Sequence, residues 1–165
     1  MIFGMTTSTF TLVHVLIGLV GIGSGFVVIF GLLAGKRLNG WTAVFLATTV
    51  ATSVTGFGFP FDHLLPSHKG GSLSLLVLAV AILARYLFHL AGAWRRIYVV
   101  SASVALYNVF VGVVQAFEKV PALKELAPTQ KEPPFLVAQV VVLVIFVVLT
   151  ILATKKFRNE AVKTA

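Results

Sequence analysis

Five stretches of this chain stay apolar for about 20 residues, the length that crosses a lipid hydrocarbon core. They cover roughly residues 11–34, 41–59, 73–92, 97–117 and 135–154, with polar and charged residues crowded between them. In lipid an isolated helix satisfies its own backbone groups and an open strand cannot, so all five are predicted to be helices. The predicted fold is therefore all-α: an integral membrane bundle of five transmembrane helices in a single domain over residues 1–165. The second stretch is the most polar, being rich in Thr and Ser. Only AWRR separates the third from the fourth, which predicts a tight antiparallel hairpin.

Composition agrees with the pattern. The chain is 58% hydrophobic and 11% charged, with a mean hydropathy of +1.01, whereas a soluble domain averages about 45–50% apolar and about 25% charged. There is no cysteine, which excludes disulfides, thiolate metal sites, cysteine nucleophiles and the dithiol quinone reductases of similar size. The net charge of +8 is placed as a membrane protein places it, not as a nucleic-acid surface would. One end of the predicted bundle holds Lys36, Arg37, Arg95, Arg96, Lys155, Lys156, Arg158 and Lys163 against Glu160. The other end holds Lys69, Lys119, Lys124 and Lys131 against Asp62, Glu118, Glu125 and Glu132, and is neutral. Short loops rich in Lys and Arg stay in the cytosol, so the N-terminus is predicted outside and the C-terminus cytoplasmic. MIFGMTTSTF has no basic residue ahead of its apolar stretch, unlike a cleavable signal, so the first span is expected to be retained.

The loops carry part of the candidate chemistry. FPFDHLLPSHKGG falls on the outer side and brings His63, His68 and Asp62. Pro66 stands between the two histidines, so they do not share a helical face as a paired metal motif would. His14, just inside the first span, joins them on that side, with Gln115 and Gln139 at similar depth and Asp62 and Glu118 bordering the layer. Three imidazoles near carboxylates suit Zn or Cu, and two facing ones suit haem; incidental interfacial histidines are the alternative. In EKVPALKELAPTQKEPP, the segment PALKELA lies between Pro121 and Pro128 and reads either as a short interfacial helix or as a semi-rigid connector. Pro133 and Pro134 suit the entry to the fifth span.

Inside the spans, Gly18, Gly21 and Gly25, and then Gly31 and Gly35, follow the small-residue spacing of close helix packing. A nucleotide-loop reading fails because no strand precedes them. Ser101, Ala105, Asn108, Gly112 and Gln115 share one face of the fourth span over about 21 Å. That face reads either as hydrogen-bonding glue or as the wall of a polar path. Arg85 is the costliest residue, because a charge at membrane depth costs on the order of 3 kcal/mol or more and needs a partner. It lies ten positions before Arg95, about 15 Å deeper along a helix, level with Leu106 to Asn108 once the hairpin folds. No span contains Asp or Glu, so the predicted partners are Asn108, Tyr107, backbone carbonyls, water or a bound anion such as a lipid phosphate, a propionate or a quinone oxygen.

HVLIGLVGIGSGFVVIFGLLAGKRL, VTGFGFPFDHLLPSHKGG and YNVFVGVVQAFEKVPALKELAPTQKEPPF resemble segments of a group of small bacterial inner-membrane proteins with no assigned function. The likeness covers nearly the whole chain. It implies a multi-pass protein of the bacterial inner membrane and carries no activity. The first segment is also similar to the opening hairpin of another uncharacterised bacterial membrane-protein family, which usually adds a histidine after its basic loop; here LNGWT has none.

Three functional readings follow. The leading one is a ligand or redox-cofactor site at the periplasmic face, holding a metal, haem b or a quinone. Its metal ligands are His14, His63 and His68, and Arg85, Tyr107, Asn108, Gln115 and Gln139 are the cofactor-binding candidates. The second is a scaffold or accessory subunit, a homo-oligomer or part of a larger membrane complex, whose glycines form the docking surface. The third is a small transporter, ranked last because no inverted repeat is visible.

Overall fold

The computed structural model describes residues 2, 4–59, 66–114, 124–125, 128–129 and 131–162. Their helices are α1 (Thr7–Leu33), α2 (Asn39–Gly56), α3 (Pro66–Ile82), α4 (Trp94–Val114) and α5 (Pro133–Val162), with a π-helical turn at Leu83–Leu87 continuing α3. Three stretches, Thr7–Leu33, His68–Leu87 and Pro133–Phe157, are long and apolar enough to cross a membrane. All-helical architecture built on such stretches is that of a membrane protein.

The helix ends have local causes. Thr6 caps α1 by accepting from the Thr9 amide at 3.2 Å, which satisfies one of the orphan donors of the first turn. At the other end Gly35 takes a φ of 71°, a conformation open to glycine at no steric cost. Two reversed bonds then close the helix, from the Gly35 amide to the Leu32 carbonyl at 3.0 Å and from the Lys36 amide to the Gly31 carbonyl at 2.8 Å. Pro133 opens α5, where a missing N–H costs nothing.

Packing turns on close approach between α1 and α2. A Cβ placed on Gly21 would sit 3.2 Å from the Thr48 hydroxyl, and one on Gly25 would sit 2.9 Å from the Phe45 ring. One on Gly31 would collide with the Leu38 side chain. α4 forms the centre, contributing Tyr98, Val99, Ala102, Ala105 and Leu106 to the buried cluster. α5 docks through an aromatic seam in which Phe146 meets Phe26 at 5.9 Å, Phe110 at 5.7 Å and Tyr107 at 5.5 Å between ring centroids. Most of its other large side chains, from Leu136 to Leu152, are exposed, as a helix solvated by hydrocarbon requires.

The largest departure from the sequence reading is in the third element. α3 starts at Pro66 rather than at residue 73, and helical geometry ends at Leu87 rather than at residue 92. The chain turns through residues 88–93, and Trp94, Arg95 and Arg96 are the first residues of α4 rather than a loop. The π-turn adds a residue to the helical repeat, shown by the Phe88 amide bonding the Leu83 carbonyl at 2.9 Å. His89, Leu90 and Gly92 then adopt left-handed φ of 49°, 60° and 51°. Phe88 stacks flat on Trp94 at 3.8 Å, closing the turn. Of the PALKELA segment only Lys124 and Glu125 are among the described residues.

Two outcomes are expected. Gly23→Ala, at a position with open space around it, should stabilise the protein by about 0.5–1 kcal/mol. Gly25→Ala should destabilise it by about 1–3 kcal/mol through overpacking against Phe45 and Leu106; detergent unfolding curves of the two variants check the contrast.

Ahead of α5, the Thr129 hydroxyl bonds Glu132 Oε1 at 2.8 Å, and the Thr129 and Lys131 amides bond the same carboxylate at 3.1 and 3.0 Å. Chiefly the Thr129 hydroxyl holds the Glu132 carboxyl below the usual carboxylate range. A depressed folded value stabilises above the unfolded value and is lost as pH falls through the folded one. Protection of the Thr129 and Lys131 amides, taken against the intrinsic exchange rate at each pH, should therefore fall at acid pH in the wild type, and should be low and much less dependent on this titration in Glu132→Gln.

Candidate functional site

Arg85 sits in the π-turn with 7% of its surface exposed. One guanidinium nitrogen, Nη2, donates to the Arg37 carbonyl at 2.9 Å and to Asn39 Oδ1 at 2.6 Å. The Thr42 hydroxyl donates to the same Arg37 carbonyl at 3.2 Å. Arg37 lies in the loop between α1 and α2, and Asn39 opens α2. The guanidinium carbon also lies 5.2 Å from the Tyr98 ring centroid and 5.9 Å from that of Tyr86, within cation–π range. Arg85 thus fastens the end of α3 to the α1–α2 loop and to the first turn of α4.

This placement corrects the depth inferred from sequence. Arg85 lies level with Tyr98 and the α1–α2 loop, not with Leu106 to Asn108, because the hairpin turns at residues 88–93. Its hydrogen bonds go to Arg37 and Asn39, and the predicted partners Tyr107 and Asn108 are elsewhere. Tyr107 belongs to the aromatic seam under α5. Asn108 is half-buried on α4, and its Nδ2 has no hydrogen-bond partner among the described residues. Gln139 is half-buried on α5, and Gln115 lies outside the described residues.

Among the described residues the second nitrogen, Nη1, has no partner in hydrogen-bonding geometry, and neither has the Tyr98 hydroxyl, which Thr42 and Arg85 flank. Arg37, Asn39, Ala43, Arg85, Tyr86 and His89 line a cleft of about 420 Å³ at this point. The carboxylates whose side chains are described, Glu125 and Glu132, both belong to the segment before α5. Chemically, a buried guanidinium with an idle donor and no described carboxylate beside it can accept an oxygen of a phosphate or carboxylate as acceptor and counter-charge. His89 and Leu90 hold left-handed backbone on the rim, and such strain, costing on the order of 1–3 kcal/mol each, concentrates at binding sites.

At the opposite end, His14 Nδ1 lies 2.8 Å from the Thr55 hydroxyl. That hydroxyl is also 2.7 Å from the Ala51 carbonyl, a distance that requires its one proton to point there. Nδ1 must then carry the proton it donates to Thr55, and Nε2 is the lone-pair nitrogen of the neutral ring. Phe59 packs edge-on to the imidazole at 5.2 Å. His68 is 5% exposed and packs on the Phe57 ring at 5.5 Å. The structure thus places His14 and His68 against the same end of α2, while His63 lies outside the described residues together with Asp62 and Glu118. Among the described residues no group of three or more His, Asp or Glu is placed to hold a metal.

The remaining candidates are used internally. The Ser101 hydroxyl bonds the Ile97 and Tyr98 carbonyls of its own helix at 2.7 and 3.2 Å, so its proton is spent within α4 and not on another helix. Gly18, Gly21, Gly25 and Gly31 spend their small size on α2, Leu38 and Leu106, leaving little of that surface for another protein. Sequence reasoning missed Asn39 and Tyr98. The available signal was an amide directly after the basic KRL and a tyrosine two residues after Arg96, and misplacing the turn hid both. No protein-family model, curated protein or solved structure matches the chain.

Arg85→Met should cost about 2–4 kcal/mol by stranding the Arg37 carbonyl and Asn39, and should speed amide exchange across residues 36–40. Arg85→Lys should restore part of the loss, because an ammonium reaches one of the two acceptors. Equal exchange rates in wild type and Arg85→Met would show that the clamp does not hold the loop.

Proposed function

We propose that this chain is a five-span protein of the bacterial inner membrane, N-terminus outside and C-terminus in the cytosol. We infer that it binds an anionic group in the Arg85 cleft at its cytosolic end. α2 and α4, with 18 and 21 residues, measure about 27 and 31 Å, close to the hydrocarbon thickness of about 30 Å. Their polar residues Thr49, Ser53, Ser101 and Ser103 are buried within the bundle, which makes modest hydropathy compatible with crossing. The basic loops and tail supply the orientation, and the resemblance to small inner-membrane proteins agrees with the compartment. A carboxyl-terminal tag that reacts with an impermeant reagent on intact cells would reverse the map.

The observation that carries the binding reading is the idle Nη1 of Arg85, buried beside Arg37 and His89 with no described carboxylate near. Phosphate or carboxylate oxygens are the shared chemistry, whether the source is a lipid headgroup or a soluble anion. In nanodiscs of zwitterionic lipid, inorganic phosphate should raise the melting temperature of the wild type if soluble anions bind. Retention of phosphatidylglycerol through purification, read by native mass spectrometry, reports the lipid source. Asn39→Asp supplies an internal carboxylate to Arg85 and should abolish the phosphate effect and the lipid held at Arg85 while keeping the fold. Indifference of the wild type to both anions would reduce Arg85 to a structural clamp.

A second reading keeps the redox cofactor or metal at the outer end, with His14, His63 and His68 as ligands. It is supported by His14, whose ring Thr55 fixes with Nε2 as the coordinating nitrogen. The visible spectrum and metal content of purified protein test it, and colourless, metal-free material counts against it.

A further inference from the structure

Between α3 and the first three turns of α4 runs a groove of about 360 Å³, separate in its lining from the Arg85 cleft. Val77 and Val80 form one wall, Ile97, Val100 and Val104 the other, and Arg96 stands at its basic end. Ser101 also borders it, but its hydroxyl is turned back onto its own helix, so the wall is apolar throughout. Valine and isoleucine hold a single χ1 rotamer in a helix, and such walls do not swing inward to fill the space.

We propose that this groove binds one acyl chain of an anionic glycerophospholipid, with the lipid phosphate on Arg96. The inference rests on the membrane-spanning reading above and concerns a different site. From Arg96 to Val104 the groove extends about 12 Å along α4, close to the roughly 15 Å depth of one leaflet. Spread over that length, 360 Å³ is a cross-section of about 30 Å², against roughly 80 Å² for a helix of 10 Å diameter. The width matches a single hydrocarbon chain. The charge matches as well: Arg96 is exposed and neighbours Arg95, whose Nε has no hydrogen-bond partner among the described residues. Among the side chains described at this end none is acidic, so a phosphate in the headgroup layer meets only cations.

Full-length protein in nanodiscs containing equal phosphatidylglycerol and phosphatidylcholine, extracted gently and weighed by native mass spectrometry, provides the test. The wild type should retain phosphatidylglycerol in preference. Arg96→Gln should cut that retention about fivefold, the loss of one headgroup-level cation, and Arg96→Lys should keep most of it. Val100→Phe fills the groove from one wall and Val80→Phe from the other, and each should lower retention with Arg96 intact. Both positions face the groove mouth rather than the core, and unfolding curves identify any variant that misfolds. Native mass spectrometry counts the bound lipids, so Arg85→Gln should lose at most the lipid of its own cleft and keep the one that Arg96→Gln removes. Unchanged retention in Arg96→Gln and in both phenylalanine variants would overturn the proposal, as would equal retention of the two lipids. Loss in Arg85→Gln alone would assign the lipid to the other cleft, sinking the groove while sparing the proposed function.

Discussion

A guanidinium buried with no described carboxylate at hand is the interaction on which this end of the bundle depends. Its acceptors carry no formal charge: they are the Arg37 carbonyl in the α1–α2 loop and the Asn39 side chain at the start of α2. Arg85 meets them from the π-turn, behind which His89, Leu90 and Gly92 take left-handed φ. The cost is recovered in one place, where a single nitrogen joins the α1–α2 loop to α3 and the Tyr98 ring covers the charge from α4.

The same arrangement gives the two ends of the molecule different chemistry. At the basic end the described side chains are cationic with no carboxylate among them, which is the basis of the anion and lipid sites proposed there. At the other end the polar groups are paired more fully within the protein. His14 is locked to Thr55, His68 is buried on Phe57, and Glu132 closes a turn of its own. Between the ends, α1 and α2 approach closely because glycine faces threonine, and the threonine hydroxyls bond back into their own helix rather than across. Packing and not hydrogen bonding holds the middle of the bundle, as expected where lipid removes the hydrophobic drive between helices.

Reading the chain alone located the helices, singled out Arg85 and expected backbone carbonyls among its partners, as the Arg37 carbonyl is, but not which residues Arg85 touches. Hydropathy is a sum over some twenty residues and tolerates an error of several at either end. A partner is a matter of single residues. Placing the hairpin at AWRR instead of residues 88–93 moved Arg85 from the level of Tyr98 to that of Leu106, which pointed to Asn108 and Tyr107. Nothing in LARYLFHLA announces a π-turn, and only Gly92, which takes a left-handed φ, marks the stop, after the left-handed His89 and Leu90. Ser101 failed as a site for a related reason: spacing reports the face a residue lies on, not whether its own helix has already used its hydroxyl.

What the sequence determined by itself was solvent and shape class: an apolar, cysteine-free chain whose long stretches can only be helices, with its cations gathered toward one end. Those are properties of sums, and they survive any rearrangement of neighbours. Which residues meet was decided only in three dimensions. The pairing of Arg85 with Asn39, the proton position on His14 and the valine-walled groove all depend on where one helix breaks and on the distance at which two others stop approaching.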